Sequence, residues 1–176
     1  LLPHWERYDL PGTVRGLLDA DAQFADAVLR RQPVYGAYRL GRKKTLDAVA
    51  ALSGALRRLS DEPNANRRAL AALGELLGAN YLLASDLSSM PVLLRLRAHD
   101  LGPGAGAAIE ETRARVVAML SPGADGAAAQ LLPERESLHT LRGDKADEIL
   151  ARRLAHIEHA ARKVARLSAR PVLEEF

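Results

Sequence analysis

The sequence predicts an all-α protein: a bundle of about five or six mostly antiparallel helices, one of them a Pro-kinked central helix. Two observations carry this. Apolar residues make up 48% of the chain and aromatics only 4%, so alanine and leucine, both strong helix formers, supply most of the apolar content. Valine and isoleucine are sparse, and no run alternates with period two, which argues against a sheet. At 176 residues the chain reads as a single domain, large enough to bury a substantial core.

Residues 1–12 form a lead-in whose Trp5 and Tyr8 suit either a membrane interface or a plug at one end of the bundle. Pro11 is tolerable only in a first helical turn, so the first helix begins close to it and extends to about Arg31. Val14, Leu17, Leu18, Phe24 and Val28 make its apolar side, and Asp19, Asp21 and Asp26 are expected mostly to face solvent. Pro33 interrupts the pattern, because the residue before a proline disfavours helical geometry. The second helix, about Val34 to Ser60, carries Leu46, Val49, Leu52, Leu56 and Leu59 as its stripe. Asp61-Glu62-Pro63-Asn64 is a turn, and Asn64 or Asn66 can cap the third helix.

The stretch from Arg67 to Arg97 is the one the rest should pack around. Leu70, Leu73, Leu76, Leu77, Leu82, Leu83 and Leu87 cover more than one helical face, and such a helix is normally buried on several sides. Gly74 and Gly78, four apart, offer a face for close approach of a neighbouring helix. Asn80 must find a partner inside this apolar setting or cost about 1–3 kcal/mol; an interhelix hydrogen bond or a small polar pocket would serve. Pro91 should kink or break the helix. Leu101-Gly102-Pro103-Gly104 is a breaker, followed by a helix from about Ala105 to Leu120 with Ile109, Val116, Val117 and Leu120 inward. Residues 121–143, rich in Gly, Ala and Pro, read as a flexible connection tacked down by Leu131, Leu132 and Leu138. Asp144 caps a long last helix whose Leu150, Leu154, Ile157, Ala161 and Val164 repeat as a bundle seam. Arg162, Lys163, Arg166 and Arg170 crowd its end, favourably for the helix dipole.

Composition also excludes. With no cysteine there is neither a disulfide framework nor a thiolate metal site. No segment reaches the roughly 18 uninterrupted apolar residues of a membrane span, and the first residues lack the regions of a signal peptide. They also lack an initiator methionine, so Leu1 reads as a cut point within a longer protein. The formal charge of +3 is unevenly spread: residues 1–29 carry −3 and residues 30–68 carry +7. Local excess governs partners, since fields act over roughly 10 Å at 0.1 M salt.

The sharpest local feature is Tyr38-Arg39-Leu40-Gly41-Arg42-Lys43-Lys44, following Arg30 and Arg31. On a helix Arg39, Arg42 and Lys43 share one surface, which could hold phosphate, an acidic lipid head group or an organic anion. A solvated face paired with Asp47 is the alternative. His156 and His159 are i, i+3 neighbours, but Arg152 and Lys163 on their face oppose a cation, so they read as a solvent-facing pair rather than a metal site. Gly102 to Gly106 lacks the strand and lysine of a phosphate loop. No Ser/His/Asp set or acidic pair has a catalytic spacing, so neither enzymatic activity nor a cofactor is expected. The scarcity of aromatics argues against base stacking on nucleic acid.

One longer pattern remains. Pro3-x-Trp5-Glu6 is followed by Leu10-Pro11, then Tyr38-Arg39-Leu40-x-Arg42-Lys43, Asp47-Ala48 and Ala51-Leu52-Ser53-x-Ala55-Leu56. Glu62-Pro63 precedes Leu76-Leu77 and Asn80-Tyr81-Leu82-Leu83-Ala84. Over residues 3–97 this order resembles the soluble region after the second membrane block of the fusaric-acid-resistance (FUSC) family of bacterial inner-membrane proteins. The resemblance implies a non-catalytic cytoplasmic domain of an aromatic- or organic-acid efflux transporter, at the inner face of the membrane. Its partners would be its own membrane-spanning region, further copies of itself and acidic lipid head groups. A free-standing helical binding module for an anionic ligand or partner protein is the alternative.

Overall fold

The computed structural model describes residues 9–63, 66–121 and 145–173. Among them are five α-helices and no strands: α1 (Leu10–Val28), α2 (Tyr35–Ser60), α3 (Arg67–Arg97), α4 (Ala105–Leu120) and α5 (Lys145–Ser168), with a 3-10 turn at Pro171–Leu173. The expectations for Trp5 and Tyr8, the Asn64 cap, Leu131, Leu132 and Leu138, and the Asp144 cap lie outside the described residues.

The termini of the helices follow their local chemistry. Asp9 caps α1 by accepting a 2.7 Å hydrogen bond from the Gly12 N–H, with Pro11 in the first turn. Asn66 caps α3 by accepting from the Arg68 and Ala69 amides, which would otherwise be left unpaired. α1 ends at Val28, three residues earlier than the sequence suggests. The chain leaves helical geometry at Leu29, which is completely buried. Pro91 lies inside α3 and does not end it.

α1 packs on α2, α4 and α3, while α3 packs on α5, α2 and α1. These two helices share the centre, and one apolar core runs through the bundle with Phe24, Leu52, Leu73, Leu76, Leu83, Leu87 and Met90 fully enclosed. The α5 seam is as its spacing requires, with Leu150, Leu154, Ile157, Ala161 and Val164 all buried. At the other end of the charge scale, Arg162 is buried on α5 rather than displayed at its tip. Asp147 in the first turn of α5 accepts a 3.0 Å hydrogen bond from the Gly102 amide and ties down the α3–α4 connection.

Three expectations need correction. Asp21 does not face solvent. It is wholly buried and accepts a hydrogen bond from the Asn80 side-chain amide across α1 and α3. Leu46 is not inward either. The buried row of α2 is Gly41, Thr45, Val49, Leu52, Ala55 and Leu59, and α1 comes close to α2 at Gly41, a residue with no side chain. A Cβ at Gly41 would stand 3.1 Å from the Phe24 Cα. Gly41→Ala should therefore destabilise the fold by about 1–3 kcal/mol, the usual range for overpacking, read as a lower urea midpoint at unchanged slope. Third, α3 keeps one side open along its length. Leu82 is 61% exposed, Tyr81 53% and Leu96 72%, and no neighbour lies within 4 Å of where a Cβ would stand at Gly74 or Gly78.

Candidate functional site

The break at Pro33 and the resumption of helix at Tyr35 leave a cleft between the α1–α2 connection and the last third of α3. Its volume is about 470 Å³, inside the roughly 300–1,000 Å³ typical of small-molecule sites. Arg31, Tyr35 and Tyr38 stand on one side, and Pro91, Val92 and Arg95 on the other. The tyrosines are held from the core outward. Tyr38 packs on buried Phe24 with ring centroids 5.9 Å apart, Tyr35 stacks on Tyr38 at 6.3 Å, and the Arg39 guanidinium lies 5.8 Å from the Tyr35 ring.

The electrostatics of the cleft are one-sided. No carboxylate occurs among its described lining residues. The acidic groups closest in sequence are engaged elsewhere: Asp86 by Arg153, Asp100 by Arg97, and Asp26 by Arg30 and Arg113. Partial burial pushes the Asp26 carboxyl up, but the hydrogen bonds from those two arginines outweigh it and hold the group below its usual range. Arg31 extends towards the start of α4, its Nη1 3.6 Å from where a Cβ on Gly106 would stand. That helix has no side-chain cap and no acidic residue in its first turn. A guanidinium beside the positive end of a helix is unfavourably placed until an anion joins it.

The residues expected from sequence sit in the adjoining hollow. Arg39, Arg42 and Lys43 line it together with Tyr35, Tyr38, Leu46 and Asp47, around about 280 Å³. Lys43 donates to Asp47 at 2.7 Å, a hydrogen bond that holds its ammonium pKa above the ordinary value. Its charge is thereby largely answered within α2, leaving Arg39 and Arg42 facing the hollow. In the sequence Arg31 stands out only as a basic residue ahead of the basic run and Arg95 not at all, and nothing in the sequence pairs them: they lie on elements separated by the whole of α2. The only local signal is that Arg31 immediately precedes a proline-broken turn.

Elsewhere, His156 and His159 are both exposed on α5. The Glu158 carboxylate, buried between α4 and α5, accepts from Arg115 at 3.2 Å and from the Thr112 hydroxyl at 3.4 Å. This pair joins two helices and lines neither the cleft nor the hollow. The fully buried contact of Asp21 with Asn80 leaves an unsatisfied oxygen on each side chain. Burial pushes the Asp21 carboxyl up to about 7, against the hydrogen bonding from Asn80 and Thr45. A proton there turns an acceptor into a donor, so the neutral acid suits the setting better than the carboxylate.

No described helix is long and apolar enough to cross a membrane. No family profile, curated protein or solved structure matches the chain.

Proposed function

We propose that this chain is a non-catalytic helical domain that assembles copies of a larger protein and regulates it, as the cytoplasmic part of a FUSC-like inner-membrane efflux transporter. The observation that carries the assembly role is the double-sided character of α3. Its inner face holds Leu73, Leu76, Leu83, Leu87 and Met90 in the core, while Gly74, Gly78, Tyr81, Leu82 and Leu96 lie outside, uncovered by the chain's own described helices. Small residues on an outward face let a second helix approach closely, and the exposed apolar side chains beside them supply the surface to bury. A second copy related by a two-fold axis would cover this face with itself. The residue pattern over 3–97 supports the transporter setting.

Sedimentation velocity on the purified domain tests the assembly role. We expect reversible, concentration-dependent association, which Leu82→Glu abolishes while leaving the helical circular-dichroism signal intact. A chain that stays monomeric at high concentration, or a variant that associates as well as the parent, refutes it. The transporter setting has a separate check: the gene should encode hydrophobic spans upstream of Leu1.

A further inference from the structure

We propose that the cleft between the α1–α2 connection and the end of α3 binds a small amphipathic carboxylate. The carboxylate would lie between Arg31 and Arg95, and the apolar body against Tyr38, Pro91 and Val92. This goes beyond the assembly role and holds whether or not the domain belongs to a transporter.

Four features of the cleft specify this ligand. It is concave and of small-molecule size, about 470 Å³. Both of its charged lining groups are guanidinium groups, which favour planar oxyanions because their fixed fork of N–H donors matches the two carboxylate oxygens. Neither Arg31 nor Arg95 makes an ion pair with a described residue, although Arg30 and Arg97, their neighbours in sequence, both do. No described carboxylate lines the cleft to answer them. Apart from the two cations and the uncharged Gln32 and Ser88, the lining is proline, valine, leucine, alanine and tyrosine ring, which gains nothing from a bare inorganic ion but contributes roughly 25 cal/mol per Å² of apolar ligand surface it covers.

The aromatic stack gives the cleft a firm wall. Tyr38 is anchored on buried Phe24 and carries Tyr35 in turn, so one side is referenced to the core of α1 and the other to a helix that continues through Pro91. A pocket set by packed elements loses less on binding than one built from loose side chains.

The adjoining hollow shares Tyr35 and Tyr38 but is a different environment. Its Lys43 is already joined to Asp47, and that carboxylate would oppose an incoming anion. The hollow therefore serves as the internal control.

The test is isothermal titration calorimetry on the whole chain with three probes: 2-naphthoate, the uncharged 2-naphthalenemethanol and inorganic phosphate. We expect saturable binding of 2-naphthoate, weakened by added salt, with the alcohol and phosphate each weaker by roughly tenfold or more, the scale of losing one charge-assisted contact. Arg31→Gln with Arg95→Gln should weaken 2-naphthoate by a similar factor. Arg39→Gln with Arg42→Gln should change it by less than about twofold. Val92→Glu, which leaves both arginines in place and puts a carboxylate at the cleft wall, should abolish it. Thermal melts establish that each variant is folded. Several results would overturn the proposal: no binding of 2-naphthoate by the parent chain, equal binding of the alcohol, full retention in the Arg31/Arg95 variant, or loss in the Arg39/Arg42 variant instead. Binding to phosphatidylglycerol vesicles without binding to 2-naphthoate would also overturn it and assign the arginines to a membrane surface.

Discussion

Phe24→Ala should lower the unfolding free energy by about 3–5 kcal/mol, the largest single-residue effect expected in this bundle. Phe24 is completely buried and is the largest fully buried side chain among the described residues. It sits in close approach to Gly41 of α2, and its ring supports Tyr38. Truncation leaves a void that the surroundings fill poorly. Gly41 has no side chain to move into it, and the backbones already stand at contact distance. Urea unfolding followed by circular dichroism measures the loss. The same position allows a sharper check, because a methyl at Gly41 would meet both the Phe24 ring at 3.0 Å and the Phe24 Cα at 3.1 Å. In the Phe24→Ala background the ring conflict is gone and the new methyl occupies part of the void. Phe24→Ala with Gly41→Ala should therefore lose clearly less than the two single losses together, with a coupling of about 0.5–3 kcal/mol. Simple additivity would show that the two positions do not act on one another.

The second large effect is the pH dependence set by Asp21. Its carboxyl is pushed from 3.8 to about 7 by burial, and a displacement of that size corresponds to roughly 4 kcal/mol between the protonation states. The sign is set by proton counts. Between about pH 4 and 7 the folded protein keeps a proton that the unfolded chain has released, so stability falls as pH rises through that window. Below it both states hold the proton, and above it both have lost it and the penalty is complete. Asp26 and Glu110, whose carboxyls are held below their ordinary values, act with the opposite sign. Their stabilisation is present above the unfolded carboxylate range and is lost as pH falls through it. Asp21→Asn should remove the decline between pH 4 and 7, raise stability at pH 8 by on the order of a few kcal/mol, and change it little at pH 4. Denaturant titrations across that range decide the matter. A parent profile that stays flat, or an Asp21→Asn profile that tracks the parent, would mean that the carboxyl stays ionised in the core.

Much of the architecture could be read from residue order alone. Period and breaker residues located all five described helices, and the α5 seam from Leu150 to Val164 was assigned residue by residue, because a one-sided helix records its burial in its own spacing. Caps at Asn66 and the early proline of α1 are equally local, since the hydrogen bonds involved close within three residues. The apolar surroundings of Asn80 require a partner for it, but local sequence does not reveal which one. Asp21 lies 59 residues away and looked like one more acidic residue on a surface.

The tertiary structure decided whatever depends on two elements meeting. It brought Gly41 of α2 tightly against Phe24 of α1, turned Leu46 outward, and left the second face of α3 open although its composition suited burial. It also set Arg31 beside Arg95 across a cleft, whereas the basic run Arg39, Arg42 and Lys43, conspicuous in sequence, lies in the hollow next door with Lys43 answered by Asp47. The physical reason is the same in each case. Helix propensity and amphipathic period act within a few turns of chain, and so the sequence by itself determined the elements and most of their buried faces. Which apolar face is covered, which charge finds a counter-charge and which two cations share a cavity depend on helix-to-helix registry. That registry is fixed only when packing brings residues far apart in the chain into contact.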